Sequence, residues 1–120
     1  MPLFIRTLLL ACLLSGSLAA HALPPMLEVD EAAVLLAEEH LQALDIRAPE
    51  AYQAGHLPGA ISAPYGRWRG PAHNPGQLLD PAAFESLVRE LGLTPEQQLL
   101  VYATGEDETD FGAAARVYWT

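Results

Sequence analysis

Residues 45–61 constrain the fold more than any other stretch, because they must hold a strand exit, a very short helix and a second strand. The mainly apolar run 41–46 ends at the charged pair Asp45 and Arg47. This pattern predicts a buried strand that emerges at the edge of a sheet. Pro49 suits the first turn of a helix, where its missing N–H costs nothing.

The helix that begins at Pro49 is predicted to last barely two turns, because Gly55 ends it. Pro58 and Gly59 then predict a turn in which the glycine adopts a positive φ. Residues 60–63 follow as a second short strand. Two strands that are joined by so short a helix are expected to lie side by side and parallel.

The other elements are predicted from hydrophobic spacing and from capping residues. In chain order, the first of them are an edge strand over 26–29, a helix from its N-cap Asp30 to Glu39 and a loop over 64–79. The next helix begins at Asp80-Pro81, ends at Gly92 and is predicted to bury Phe84, Leu87, Val88 and Leu91. It is followed by a central parallel strand over Leu99–Tyr102 and a last helix capped by Thr109 or Asp110. Tyr102 and Tyr118 are predicted to be core residues.

Strands that alternate with helices predict an α/β fold with a parallel sheet. Ligand sites in such sheets lie at the carboxyl ends of the strands. The three strand exits are residues 45–47, residue 64 onward and residue 103 onward. We therefore expect these segments to gather at one edge of the sheet.

The charge of the chain excludes two classes of partner. Fifteen acidic residues face six arginines and no lysine, so the net charge is −9. A strongly negative surface repels both nucleic acid and anionic membranes. A free anionic substrate would have to be attracted by a local concentration of arginines.

Residues 1–22 are predicted to be a signal peptide. A short n-region with Arg6 precedes the apolar run 8–18, and Ala20-His21-Ala22 is a small-x-small cleavage site. The apolar run is too short to span a bilayer as an anchor. We expect export to the periplasm and, after cleavage, no membrane association of residues 23–120.

Cys12, the single cysteine of the chain, falls within this signal segment. Residues 9–12 resemble a lipoprotein cleavage box, which would make Cys12 a lipid anchor. The apolar run before it is only about five residues, below the usual seven to fifteen, and this favours a cysteine within an ordinary signal core. With either interpretation the mature domain has no thiol.

Two segments resemble the signatures of the rhodanese (thiosulfate sulfurtransferase) family. The first comprises Asp45-Ile46-Arg47, the aromatic Tyr52 and Gly-His-Leu-Pro-Gly-Ala-Ile over 55–61. The second comprises the apolar strand Leu99–Tyr102, Ala103, Thr104-Gly105 and Gly112-Ala113-Ala114-Ala115-Arg116. The resemblance implies a rhodanese-like three-layer fold with a central parallel sheet over residues 23–120, truncated before its last strand and helix.

The resemblance also implies that this domain alone is inactive. In the family, a cysteine follows the central strand, and its low-pKa thiolate becomes a persulfide. Ala103 occupies that position, and a methyl group cannot act as a nucleophile. We therefore expect no catalytic residue here and no cofactor.

Residues 113–119 resemble the non-catalytic N-terminal half of tandem thiosulfate or 3-mercaptopyruvate sulfurtransferases. This likeness implies a second rhodanese domain in the same protein, which would carry the cysteine. The alternative is a stand-alone inactive module that binds a partner or an anion in the periplasm. A related phosphatase loop also requires a cysteine and fails at Ala103.

Several polar residues admit two interpretations. Arg67, Trp68 and Arg69 are either an anion-binding or domain-contact surface or a loop packed on its own domain, with the arginines paired to local acids. The carboxylates of Glu106, Asp107, Glu108 and Asp110 either cap a helix or fill a vacated anion nest.

Asp45, Arg47 and His56 are interpreted as structural rather than catalytic. We expect the first two to form a charge pair that fixes the turn after the strand. We expect His56 to hydrogen-bond the backbone and hold the turn that contains Pro58 and Gly59. The histidines lack zinc-type spacing and cysteine partners, so no metal site is expected.

Overall fold

The computed structural model describes residues 22–120. The predicted signal segment 1–22, except Ala22, and Cys12 lie outside the described residues. The elements in chain order are α1 (Val29–Ala37), β1 (Gln42–Asp45), α2 (Pro49–Ala54), β2 (Ile61–Ser62), a 3₁₀ helix (Tyr65–Trp68), α3 (Pro81–Glu90), β3 (Leu99–Tyr102) and α4 (Glu108–Tyr118). None of the helices in the described part is long and apolar enough to cross a membrane.

The three strands form one parallel sheet in the order β2-β1-β3. Leu44 on β1 is paired with Ile61 on one side and with Val101 on the other. Helices flank this sheet, so the predicted α/β class with a parallel sheet is confirmed. The register places the carboxyl ends of all three strands at the same edge.

The core lies where the sheet meets α3, α4 and the 3₁₀ helix. Its buried members are Leu44, Ile46, Ala63, Trp68, Leu87 and Val117. Side chains from β1, from the residues that follow β1 and β2, from the 3₁₀ helix and from two α-helices thus meet at a single centre. Their burial is the main stabilising term for so small a domain.

The stretch 45–61 folds as its sequence predicts. Pro49 is the first residue of α2, and Gly55 takes the C-cap position. Gly59 has a φ of 73°, a left-handed conformation that glycine adopts without steric cost. The predicted strand, short helix, turn and strand are all confirmed.

The N-terminal elements differ from the prediction. The edge strand over 26–29 is wrong, because Val29 already begins α1 and Glu28 occupies its N-cap position. Asp30 therefore lies in the first turn and is not the cap. A strand needs a neighbour for its backbone hydrogen bonds, and within residues 22–120 no fourth strand pairs with the sheet.

Three further predictions are corrected at the other end of the chain. β3 is an outer strand of the described sheet rather than a central one, and Leu99 is 42% exposed. The N-cap of α4 is Asp107, not Thr109 or Asp110. Tyr118 is 56% exposed and does not belong to the core. The other side of α4, which carries the buried Val117, faces the sheet.

Candidate functional site

The three strand exits meet at the carboxyl edge of the sheet, as expected. The Ala63 amide donates to the Asp45 carbonyl at 2.8 Å, and the Ile46 amide donates to the Tyr102 carbonyl at 3.1 Å. The Tyr65 amide donates to the Ile46 carbonyl at 3.0 Å. The segments after β1, β2 and β3 are therefore fixed to one another by backbone hydrogen bonds.

Asp45 and Arg47 form a two-pronged ion pair at this edge. Arg47 Nε donates to Asp45 Oδ1 at 2.9 Å, and Nη2 donates to Oδ2 at 2.6 Å. The Arg47 amide also donates to Oδ1, and Nη2 reaches the Gly55 carbonyl at 2.7 Å. The pair thus connects β1 to the end of α2.

Burial alone would raise the pKa of Asp45, since its side chain is fully buried. The hydrogen bonds from Arg47 and Tyr102 outweigh burial and lower that pKa. Because Asp45 stays ionised, it holds both partners in place throughout the neutral pH range and does not act as a proton donor or acceptor there.

Tyr102 contributes a second link, which hydrophobic spacing did not reveal. Its hydroxyl donates to Asp45 Oδ2 at 2.7 Å and accepts the Leu57 amide at 3.2 Å. The Arg47 guanidinium lies over the same ring, 5.4 Å from its centroid. Burial and the neighbouring Asp45 raise the pKa of Tyr102. The last residue of β3 is therefore a neutral bridge between β1 and the loop after α2.

The turn after α2 is held by its own side chains. His56 Nδ1 lies 2.8 Å from the Tyr52 carbonyl, and the imidazole stacks on the Tyr52 ring with centroids 3.7 Å apart. The Ala60 amide donates to the Leu57 carbonyl across Pro58 and Gly59. Both of these contacts of His56 are with Tyr52 of α2, so the imidazole fastens the turn to the preceding helix.

The loop after β3 is where the site would carry its reactive group. Ala103 is half-buried and packs against the core cluster. Gly105 follows with a φ of 78°, so the chain curls before α4 begins. Residues 103–107 contain one hydroxyl, on Thr104, and no thiol. This loop has the curled backbone of an anion cradle but lacks a thiolate.

Carboxylates of the same chain occupy the Glu106 amide of that curl and two amides in the first turn of α4. Asp107 Oδ1 accepts the amides of Thr109 and Asp110 at 2.8 and 3.2 Å. Asp110 Oδ2 accepts the Glu106 amide at 2.9 Å. These amides lower the pKa of Asp107. Capping and occupation of the anion nest, which the sequence left as alternatives, are thus one arrangement.

Trp68 is not part of an exposed surface. Its side chain is only 3% exposed, and its indole N–H donates to the Ala63 carbonyl at 3.0 Å. The 3₁₀ helix directs the Trp68 side chain into the core. There the polar N–H of an otherwise apolar ring supplies a donor for the Ala63 carbonyl. For Trp68 this burial matches the second of the two interpretations, a loop packed on its own domain.

The two arginines beside it keep local partners. Arg67 forms an ion pair with Glu90 at 2.6 Å, and the Arg69 guanidinium lies 5.5 Å from the Tyr65 ring centroid. Arg69 is exposed at the carboxyl edge. The structure thus brings the arginines to the predicted edge but gives them contacts within the domain.

Arg116 is a further residue that sequence spacing did not single out. Its Nη2 donates to the carbonyls of Gly76 and Gln77 at 2.8 and 2.9 Å. This contact fixes the long loop against α4. Because the loop has no periodicity, the only sequence signal for the contact was a lone arginine in the last turns of a helix.

The described residues contain no group of three histidine, aspartate, glutamate or cysteine side chains that could hold a metal ion. The side chains at the carboxyl edge hydrogen-bond backbone groups and pair with charged side chains of the same domain. The loop after β3 holds no thiol, and carboxylates occupy the amides of Glu106, Thr109 and Asp110.

Comparison with known proteins agrees with this architecture. A family model described as "Rhodanese-like domain" matches residues 28–118. A protein of Synechococcus elongatus named "Putative thiosulfate sulfurtransferase" is 40% identical over 78 residues, which are 63% of this chain and 24% of that protein. The chain thus spans about a quarter of the length of the relative it matches.

Proposed function

Because this chain belongs to the family of rhodanese-like domains, we propose that it is the catalytically silent half of an exported sulfurtransferase. The whole enzyme would move sulfane sulfur from thiosulfate or 3-mercaptopyruvate to a thiophilic acceptor such as cyanide or a thiol. Its reactive cysteine would lie in a second rhodanese-like domain of the same protein. The name of the similar protein supports this class of reaction.

Ala103 is the observation that carries the proposal. The strand Leu99–Tyr102 runs directly into it, at the carboxyl edge where a parallel sheet places its reactive groups. Sulfur transfer of this type needs a thiolate that attacks the donor and holds the sulfur as a persulfide. An alanine methyl group cannot supply the electron pair for that attack.

The carboxylates after Ala103 support the same conclusion. A thiosulfate or persulfide anion would require the amides that Asp107 and Asp110 already occupy. It would also meet the negative charge of those side chains. The loop is thus built for local stability and against anion binding, so we assign this domain a structural role in the complete enzyme.

The exposed carboxyl edge is the surface that we propose for contact with the second domain. The exposed Arg69 lies in the segment after β2, and the acidic residues 106–110 follow β3, so the segments that leave this edge carry both signs of charge. A partner domain with the opposite arrangement would bind there in one orientation.

The chemistry can be tested with two proteins. The 120-residue chain should form no thiocyanate from thiosulfate and cyanide, whereas the protein expressed from the complete gene should do so. Replacement of the cysteine in its second domain by serine should abolish that activity. Turnover by the 120-residue chain would overturn the assignment of Ala103, and a complete gene without a second domain would leave the stand-alone module.

Export is tested separately. Expression in a Gram-negative host should release a periplasmic protein that begins at Leu23 after cleavage following Ala22. A Cys12→Ala variant should be processed in the same way. If that substitution prevents processing and the wild-type protein stays in the membrane fraction, Cys12 is a lipid anchor instead.

A further inference from the structure

A groove of about 830 Å³ opens at the amino ends of β1 and β3, the edge of the sheet opposite the loop after Ala103. The last turn of α1, the turn at Pro58 and Gly59 and the segment 96–98 form its walls. Its size is within the range of ordinary ligand sites. It takes no part in the function proposed above.

The groove combines an apolar floor with negative charge. Leu36, Leu41, Ala43 and Pro58 supply apolar surface, while Glu39 and Glu96 supply carboxylates. No arginine lines the groove and the chain contains no lysine, so His40 is the one basic side chain among the lining residues. Within residues 22–120, neither carboxylate takes part in an ion pair, although the adjacent Glu38 lies 3.5 Å from His40.

The end of α1 adds to this negative potential. The carboxyl end of a helix carries partial negative charge, and α1 ends at Ala37 beside the groove. Its last turn has no basic residue to neutralise that charge. Glu39 follows with a φ of 58°, a left-handed conformation for which glycine is the favoured residue. The sequence thus keeps a carboxylate where a glycine would be less strained.

From this complementarity we propose that the groove binds a lysine or arginine side chain of a partner polypeptide. The aliphatic stem would lie along Leu36, Leu41 and Pro58, and the charged head would reach Glu39 and Glu96. A long side chain with an apolar stem and a cationic end matches both the floor and the rim. The open mouth of the groove leaves room for the backbone that carries it.

The test uses the 120-residue chain and two end-blocked peptides at low ionic strength. One peptide has a single lysine between alanine and leucine residues, and the other has norleucine in place of that lysine. Isothermal titration calorimetry should detect the lysine peptide, with amide NMR shifts confined to residues 36–43, Gly59 and residues 96–98. The norleucine peptide should bind at least about tenfold more weakly, since a charge-assisted contact is lost.

Three variants separate the groove from the overall negative charge of the chain. Glu39→Gln and Glu96→Gln should each weaken binding by about tenfold. Glu50→Gln changes the net charge equally but lies on α2, outside the groove, and should leave binding unchanged. Glu39→Gly should raise the melting temperature, because it relieves the left-handed strain, and still weaken binding.

Equal binding of the two peptides would overturn the proposal, as would equal effects of Glu50→Gln and Glu39→Gln. Binding of n-butylamine with the affinity of the lysine peptide would also overturn it, because the site would then select a free amine. If the lysine peptide causes no amide NMR shifts among the groove residues, it binds elsewhere and the proposal is wrong. None of these outcomes depends on the sulfurtransferase assignment.

Discussion

The hydroxyl of Tyr102 lies 2.7 Å from Oδ2 of Asp45, and this contact joins residues that are 57 positions apart in the chain. It connects the end of β3 with the end of β1, and through the Leu57 amide it reaches the turn after α2. The two segments that resemble family signatures are therefore joined by one phenol.

Tyr102→Phe should lower the free energy of unfolding by about 1–2 kcal/mol, because it removes the acceptor of the Leu57 amide and one of the hydrogen bonds to the buried Asp45 Oδ2, which keeps its bonds from Arg47. Urea denaturation measures this loss. Tyr118→Phe is the matched control, since Tyr118 is exposed, and should change stability by less than about 0.5 kcal/mol. Equal effects of the two substitutions would show that the bridge contributes nothing.

Asp45→Asn should change how stability depends on acid. The pKa of Asp45 is lowered in the fold, so its ionised form stabilises the protein above the unfolded value of about 3.9. That stabilisation is lost as the pH falls through the still lower folded pKa. The wild type should therefore lose stability more steeply than the variant below about pH 4.

At pH 7 the same variant should be less stable by about 2–4 kcal/mol, because it leaves the Arg47 guanidinium without its anion. Chemical denaturation at pH values from about 3 to about 7 measures both the stability difference at pH 7 and the dependence of stability on acid. Parallel pH profiles for the two proteins would contradict the assigned role of the ion pair.

Ala103→Cys should restore little sulfurtransferase activity. A thiol placed there would share its loop with Asp107 and Asp110, whose charge disfavours the thiolate and whose carboxylates occupy the amides of Thr109 and Glu106. Its pKa, measured from the pH dependence of alkylation, should be no lower than the ordinary value of about 8.5.

Removing one of those carboxylates should shift this pKa. In the background of Ala103→Cys, Asp110→Ala releases the Glu106 amide and should lower the thiol pKa. The control Glu85→Ala removes a carboxylate of α3, far from the loop in sequence, and should leave that pKa unchanged. If Asp110→Ala leaves the thiol pKa unchanged, the carboxylates do not control the loop.

Substitution of the two tryptophans should cost very different amounts of stability. Trp68→Ala removes a buried ring and the hydrogen bond to Ala63, and should cost about 3–5 kcal/mol of stability. Trp119→Ala should cost less than about 0.5 kcal/mol, since the ring is 77% exposed. The fluorescence of Trp119→Ala, which keeps Trp68, should be blue-shifted relative to the wild type.

Gly70→Ala should destabilise the long loop. A Cβ at this position would lie 2.5 Å from the Asn74 carbonyl oxygen and 2.6 Å from that of Gln77. Arg116 holds the Gln77 carbonyl, so the loop cannot easily move away. We expect a loss of about 1–3 kcal/mol in thermal or chemical unfolding. Gly66→Ala meets open space and should be tolerated.

The stretch 45–61 was predictable because its signals are local. Pro49, Gly55 and Gly59 each specify a backbone conformation without reference to the rest of the chain. Their consequences, the bounds of α2 and the turn before β2, therefore follow from the sequence. The gathering of strand exits was also predictable, because parallel strands must end at the same edge.

Properties that depend on distant partners were not predictable. An apolar run such as Leu99–Tyr102 reads the same at the centre of a sheet and at its outer side, and here it lies at the outer side. Trp68 stands in a stretch rich in glycine and proline, and only the folded core reveals its burial. Asp107, Thr109 and Asp110 are all acceptable caps, and the three-dimensional path of the loop selects the first.

The strand register has a kinetic consequence. β1 meets β2 across 17 residues, from Leu44 to Ile61, whereas it meets β3 across 57, from Leu44 to Val101. Closing the shorter loop costs less entropy, so the unit β1-α2-β2 is expected to form first and to serve as a template for β3. Substitutions in residues 45–61 should then slow folding, whereas substitutions around β3 should mainly accelerate unfolding.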